Sequence, residues 1–506
     1  MESITLIFDL IIKVARSYLM EHAITQMDRN LSRTIFSRFL NVRLDQLPTT
    51  VGSLSSQLRG FETIRSFLST KTFYTFIDAP FGIFFVVMIA LIGSPLAALV
   101  PLIFFIVSLA FGFVMKDRID NHALKSTDAS NLKTGLLVEA IEGAETIKSG
   151  AGSWGILSKW IDVSELAMKH DMALRSITEK TSYISSFLQQ ISYIGLICVG
   201  AYLAAEGHMT MGSLIACSIL SGRAMAPVAQ IPGLMVQAAH AKAALKQLEK
   251  VFSLESDNHE VERPLIPQTI KGNYQLERVH FAYPQSPRAL IINKLTINPG
   301  EKIGVVGPIG AGKSTLLRLL TGMFQPSEGL ILLDGLDINH ISRHFLGEQI
   351  GYLQQDHRLF SGTLRENILV GIPDPGDEKI KEIASQTGLI AAISNHPKGL
   401  DLLIAEGGKG LSGGQKQLVA LTRLLMSNPS IWLLDEPTAS MDNATEIQSM
   451  VALKNAIKPS DTLILVTHKL SSLSMVDRII CIAGHQIIMD GPREEILRKL
   501  TAPSQN

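Results

Sequence analysis

One run restricts what this chain can fold into more than any other. It is Gly307 to Thr315, which reads Gly-Pro-Ile-Gly-Ala-Gly-Lys-Ser-Thr. It fits the phosphate-loop pattern G-x-x-x-x-G-K-[ST]. A short apolar run, Lys302 to Val306, precedes it and reads as a buried strand. Thr315 to Phe324 follows with helical periodicity. A strand, a glycine-rich turn and a helix start are what a triphosphate site needs. Gly307, Gly310 and Gly312 let the backbone curl so that its N–H groups converge on anionic oxygens. The helix start adds unpaired N–H groups and the positive end of its dipole. Lys313 can reach outer phosphates, and the Ser314 hydroxyl can ligate Mg²⁺. Thr315, the last residue of the pattern, is a further candidate to bind the nucleotide.

The 506 residues are enough for more than one domain. Lys plus Arg number 46 and Asp plus Glu number 46, so no net field argues for a nucleic-acid partner. Mean hydropathy is positive, and the apolar residues concentrate before about residue 240. This reads as a membrane part followed by a soluble part. Cys198, Cys217 and Cys481 are too scattered for a disulfide framework or a metal cluster.

In the first half, residues 1–20 hold a short apolar run broken by Asp9 and followed by Lys13 and Arg16. Crossing a membrane takes about 20 apolar residues, so this reads as a partial span. Residues 21–75 read as long helices reaching into the cytoplasm, interrupted near Pro48 and Gly52. Spans are expected near 76–93 and 95–115, joined by a tight turn at Gly93-Ser94-Pro95. Residues 116–180 are rich in Lys and Arg and belong inside. A second pair of spans is expected near 184–205 and 212–236, joined by Glu206 to Thr210. The last carries Arg223, Pro227, Gln230 and Pro232, polar and kinking residues that suit a bundle interior or a water-filled path. A re-entrant segment is the alternative there.

Residues 253–272, with Pro264 and Pro267, read as a linker. From 273 to 506, strands alternate with helices, the pattern of a parallel α/β sheet. Ile431 to Asp435 is a second buried strand, ending in an acid that can hold Mg²⁺. Glu436 follows and is the candidate to orient and deprotonate an attacking water.

Leu411-Ser412-Gly413-Gly414-Gln415 resembles the signature motif of ATP-binding-cassette (ABC) proteins. Other family motifs occur in the expected order. Tyr283 resembles the aromatic residue that stacks on adenine, and Gln355 the glutamine that senses Mg²⁺ and contacts the membrane domain. Ala439-Ser440-Met441-Asp442 resembles the loop that crosses to a partner subunit, and His468 the switch histidine at the γ-phosphate. Leu137 to Glu139 and Glu145 to Lys148 look like the cytoplasmic loop of exporters. Glu406, Gly408 and Gly410 resemble the exporter loop before the signature, with Ala405 where glycine is common. Ile219 to Arg223, with Pro227, Gln230 and Ile231, looks like the last helix of type I protein-secretion transporters.

The resemblance implies a fold: an all-α transmembrane domain of exporter type at 1–252, then an α/β P-loop NTPase domain. It implies ATP and Mg²⁺ as cofactors and a head-to-tail homodimer. There Ser412, Gly413, Gly414, Gln415 and Asp442 complete the partner's site. Lys313, Ser314, Asp435, Glu436, Gln355 and His468 carry hydrolysis and its coupling to motion. The expected function is type I secretion of a large unfolded protein (an RTX-type toxin or adhesin) across the bacterial inner membrane. The ATPase domain would be cytoplasmic, and a periplasmic adaptor and an outer-membrane channel would be partners. An exporter of lipids, drugs or short peptides is the alternative. A nucleic-acid-directed ATPase is disfavoured by the uncharged run Phe81 to Val114, and a cassette without turnover by Lys313 and Glu436. Such exporters have six spans per subunit, so the count of four and a fragment makes an incomplete N-terminus the expectation.

Overall fold

The computed structural model describes residues 2–47, 60–68, 70–150, 152–257, 261, 263–283, 288–391 and 396–501. The helix interruption expected near Pro48 and Gly52 lies outside these residues. The chain divides into two compact units. One comprises residues 1–40 and 47–254, the other residues 41–46 and 255–506.

The first unit is helical. Its elements include α1 (Glu2–Leu40), α2 (Thr70–Ile92), α3 (Pro95–Glu142), α4 (Ala144–Ser149), α5 (Ser153–Ala205) and α6 (Met211–Phe252). Residues 2–40 form one continuous helix, so the apolar run at its start and the polar stretch after it are one element. Among the described residues, α3, α5 and α6 are long and apolar enough to cross a membrane, and Pro80–Ile92 is a shorter apolar stretch. The expected turns are where the sequence placed them. Ser94 caps α3, its side chain accepting from Leu96 N–H at 3.3 Å, and Pro95 takes the first helical position, where its missing N–H costs nothing. Thr210 caps α6 in a reciprocal box with Ser213. Pro227 and Pro232 sit inside α6, which runs unbroken to Phe252.

Among the apolar stretches of these helices, Ile89, Ala97, Leu196, Cys217 and Ala224 are buried against one another, while Leu91 and Phe113 are about three-quarters exposed. That outward apolar surface is what hydrocarbon would cover. In their more polar portions the helices meet through polar pairs. Asn131 donates to Gln247 at 3.0 Å, Lys242 pairs with Asp120 at 2.8 Å, and Ser126 donates to Asp171.

The second unit is built on a ten-stranded sheet. Strands Tyr274–Ala282, Arg288–Ile297 and Glu328–Leu333 pair antiparallel at one side. Strands Ile350–Leu353, Ile431–Asp435, Thr462–Val466, Lys302–Val306 and Arg478–Ala483 lie parallel in that spatial order. Every residue of Ile431–Asp435 and Thr462–Val466 is buried, as near-continuous apolar runs in a parallel sheet require. Residues 41–46 count with this unit. Val42 bridges Ser256, and the buried Arg43 pairs with Asp45 at 2.6 Å, with Glu255 and with Gln325.

Candidate functional site

Register decides where the chemistry gathers. Val466 pairs with Val305 on one side and with Asp435 on the other. Three parallel strands therefore end side by side, and the segments leaving them share one edge. Those segments are the phosphate loop, the Asp435–Glu436 pair and the turn holding His468. Ligands of open α/β sheets bind outside this carboxyl edge.

A cleft of about 790 Å³ lies there. It is lined by Tyr283, by the phosphate loop from Gly307 to Thr315 apart from Ala311, by Gln355, Asp435, Glu436 and His468, and by His485. Gly310 and Gly312 have φ of 78° and 103°, the left-handed region that glycine alone enters without strain. Gly307 has a further reason to be glycine: a Cβ there would stand 2.0 Å from the Ile482 carbonyl oxygen. Lys313 opens the helix Lys313–Leu320, and its Nζ donates to the carbonyls of Gly307 and Pro308 at 2.8 and 2.9 Å. Burial pushes its pKa down, opposed by the charges of Glu436 and Asp435.

Asp435 is buried, and burial pushes its carboxyl up, opposed by a hydrogen bond from Ser314. Among the described residues, no cluster of three or more His, Cys, Asp or Glu could hold a metal by itself. The oxygen pair Ser314 and Asp435 fits a hard cation that takes its remaining ligands from phosphate and water.

Glu436 has φ of 49°, uncommon for a residue with a side chain. Its N–H donates to Val466 O at 2.9 Å, and its carboxylate faces His468 Nε2 at 3.5 Å and Gln355 Nε2 at 3.4 Å. Tyr283 packs edge-on against Phe281 and Phe324, with ring centroids 5.0 and 5.8 Å away. Its hydroxyl meets Thr315 Oγ1 at 3.1 Å and accepts from Arg318 at 3.3 Å.

The cleft thus brings together Tyr283, Gly307, Gly310, Gly312, Lys313, Ser314, Thr315, Gln355, Asp435, Glu436 and His468. Ser412, Gly413, Gly414, Gln415 and Asp442 are not part of its lining. Ser412 caps the helix Gly413–Ser427, with its N–H bonded to Gln415 Oε1 at 2.9 Å and its Oγ accepting from Gln415 N–H at 3.2 Å. Asp442 caps the helix Asn443–Ala456 and accepts from Thr445 N–H at 3.0 Å. His485, between the strands Arg478–Ala483 and Gln486–Pro492, also lines the cleft, and no motif in the sequence marks it.

Two family models match. One is ABC transporter, over residues 292–439, and the other is ABC transporter transmembrane region, over residues 3–228. The chain is 30% identical over 504 residues to the toxin RTX-I translocation ATP-binding protein of Actinobacillus pleuropneumoniae, covering 98% of this chain and 70% of that protein. It is 29% identical over 503 residues to the leukotoxin translocation ATP-binding protein LktB of Bibersteinia trehalosi, with the same shares covered. Its fold matches a bacterial Atm1-family ABC exporter with ATP bound, with TM-score 0.89, 21% identity, and 97% of this chain and 86% of that one covered.

Proposed function

Since this chain belongs to the ABC transporter family, we propose that it is the ATPase and permease subunit of a type I secretion exporter, working as a homodimer in a bacterial inner membrane. That it is a multi-pass ABC exporter that hydrolyses ATP follows from the family. The protein cargo, the Mg²⁺, the dimer and the envelope partners are our reading.

One observation carries the dimer. The cleft gathers the phosphate loop, Asp435, Glu436 and His468, while the signature segment Ser412 to Gln415 stands outside its lining. A second copy placed head to tail would bring its own Ser412 and Gly414 to the γ-phosphate. There the helix start offers donors to an anion. Lys313 would hold the outer phosphates, with Tyr283 against the adenine. Ser314 and Asp435 would hold Mg²⁺, which neutralises charge developing on the phosphate oxygens. Glu436 would accept the proton of the attacking water, with His468 and Gln355 orienting its carboxylate. Loss of the γ-phosphate removes the group both copies bind, and the dimer opens. The names of the relatives, a toxin and a leukotoxin translocation ATP-binding protein, support a protein cargo; a periplasmic adaptor and an outer-membrane channel would carry that cargo onward.

The test uses the purified chain in lipid nanodiscs. Its ATPase rate is measured with an unfolded C-terminal segment of an RTX-type protein and, separately, with a hydrophobic dye. A rate that responds to the polypeptide and not to the dye supports secretion. The reverse favours an exporter of lipids, drugs or short peptides.

A further inference from the structure

We infer that Gln417 is a positioning residue for hydrolysis, tying the signature helix to the backbone of the catalytic Glu436 in its own subunit. The inference rests on the assignment of Glu436 as the base, made above.

Gln417 lies one turn into the helix Gly413–Ser427 and is 2% exposed. A buried amide without partners is costly. Here both ends are used across the domain. Nε2 donates to the Glu436 carbonyl at 2.9 Å, and Oε1 accepts from Ser440 N–H at 2.9 Å. One side chain therefore spans both ends of the turn that follows the strand Ile431–Asp435. The Glu436 carbonyl also accepts from Ala439 N–H at 3.2 Å, so both of its acceptor positions are engaged.

A second observation is independent of these bonds. Gly413, Gly414 and Gln417 share one helix face by their spacing of three and four. A Cβ on Gly414 would stand 2.9 Å from the Ser440 carbonyl oxygen, and one on Gly413 would be 3.6 Å from Ser440 Cβ. Gly414 thus has a task inside its own domain. It lets the helix start approach the Glu436–Ser440 turn closely enough for Gln417 to reach it, whereas a Cβ on Gly413 would make only an ordinary contact.

The backbone of Glu436 needs such a restraint. Its left-handed φ persists in a residue with a side chain only where the surroundings over-determine it. In the head-to-tail dimer the same helix start meets the nucleotide of the partner. Gln417 then makes that helix start and the base of its own subunit's site move as one body.

The experiment uses the full chain in nanodiscs, with Gln417→Met, Gln417→Glu and Glu436→Gln in parallel. Affinity is read with a fluorescent ATP analogue and turnover by phosphate release. Gln417→Met keeps the volume and removes both hydrogen bonds. We expect it to bind nucleotide within about twofold of wild type while kcat falls roughly 10- to 100-fold, the effect of a misplaced reacting group. Gln417→Glu keeps the acceptor for Ser440 N–H but donates to the Glu436 carbonyl only when protonated. Its kcat relative to wild type should therefore recover as pH falls from about 8 to about 6. Wild-type turnover in Gln417→Met, or a Gln417→Glu ratio that is flat with pH, overturns the inference. So does loss of nucleotide binding in both Gln417 variants, which would make the residue structural. Undiminished turnover in Glu436→Gln overturns instead the assignment of the base.

Discussion

His468 holds its Nε2 3.5 Å from Oε1 of Glu436, across the strand ends that bring both residues to one edge of the sheet. The ring stands on the strand-end turn next to the one that carries the carboxylate. It can fix the direction of the carboxylate without taking the proton itself. Glu436→Gln should therefore bind ATP and form a stable closed dimer. Its turnover should fall by about 10²–10⁴-fold, the usual cost of losing a general base. His468→Ala should lower kcat with little change in ATP affinity. Phosphate-release assays on both purified variants check this, and a wild-type rate in Glu436→Gln contradicts it.

Tyr283 has two roles that substitution can separate. Its ring lines the cleft, and its hydroxyl is bonded to Thr315 and Arg318. Tyr283→Ala should weaken ATP binding by roughly the 1–3 kcal/mol that base–aromatic stacking contributes elsewhere. Tyr283→Trp should be tolerated. Equal ATP affinity in the Ala and Trp variants, measured by titration, would reduce Tyr283 to packing against Phe281 and Phe324.

Mixed dimers test the composite site. One subunit carries Lys313→Ala together with Ser412→Arg, and the other is wild type. In a head-to-tail arrangement each site then contains one damaged half, and activity should be very low. Retention of half the wild-type rate would mean that each subunit hydrolyses ATP alone.

His357 should make the ATPase unit sensitive to acid. Burial, and then the charge of Arg423, push its pKa from the usual 6.5 down to about 4. Its Nε2 is buried with no hydrogen-bond partner. Above pH 6.5 the ring is neutral in both folded and unfolded chains, and the stability is complete. As pH falls from 6.5 towards 4 the unfolded chain takes up the proton first, so folding weakens through that window. The loss by the low end should be on the order of 1–3 kcal/mol, allowing for partial solvent access. Thermal melts of the purified chain should drop more steeply below pH 6.5 than those of His357→Gln. Parallel curves would show that the ring titrates normally.

The sequence by itself determined the features that neighbouring residues decide. The strand, glycine turn and helix of 302–320 follow from a buried run, a left-handed glycine at Gly310 and another at Gly312. The hairpin turn at Gly93 to Pro95 and the Thr210 cap follow from residues that each satisfy a helix start within three positions. Strand-end acids beside a phosphate loop are legible for the same reason, since a buried run ending in Asp435 leaves Glu436 at the mouth. The tertiary structure alone decided what depends on residues far apart in the chain. Gly307 is constrained by the carbonyl of Ile482, and Gln417 by Glu436 and Ser440. His485 reaches the cleft because its strand pair lies beside Lys302–Val306. Residues 41–46 belong with the ATPase unit through Ser256, Glu255 and Gln325, all more than two hundred positions away. Local propensity is blind to such contacts, because each exists only after the sheet and helices have brought distant backbone groups within hydrogen-bond reach.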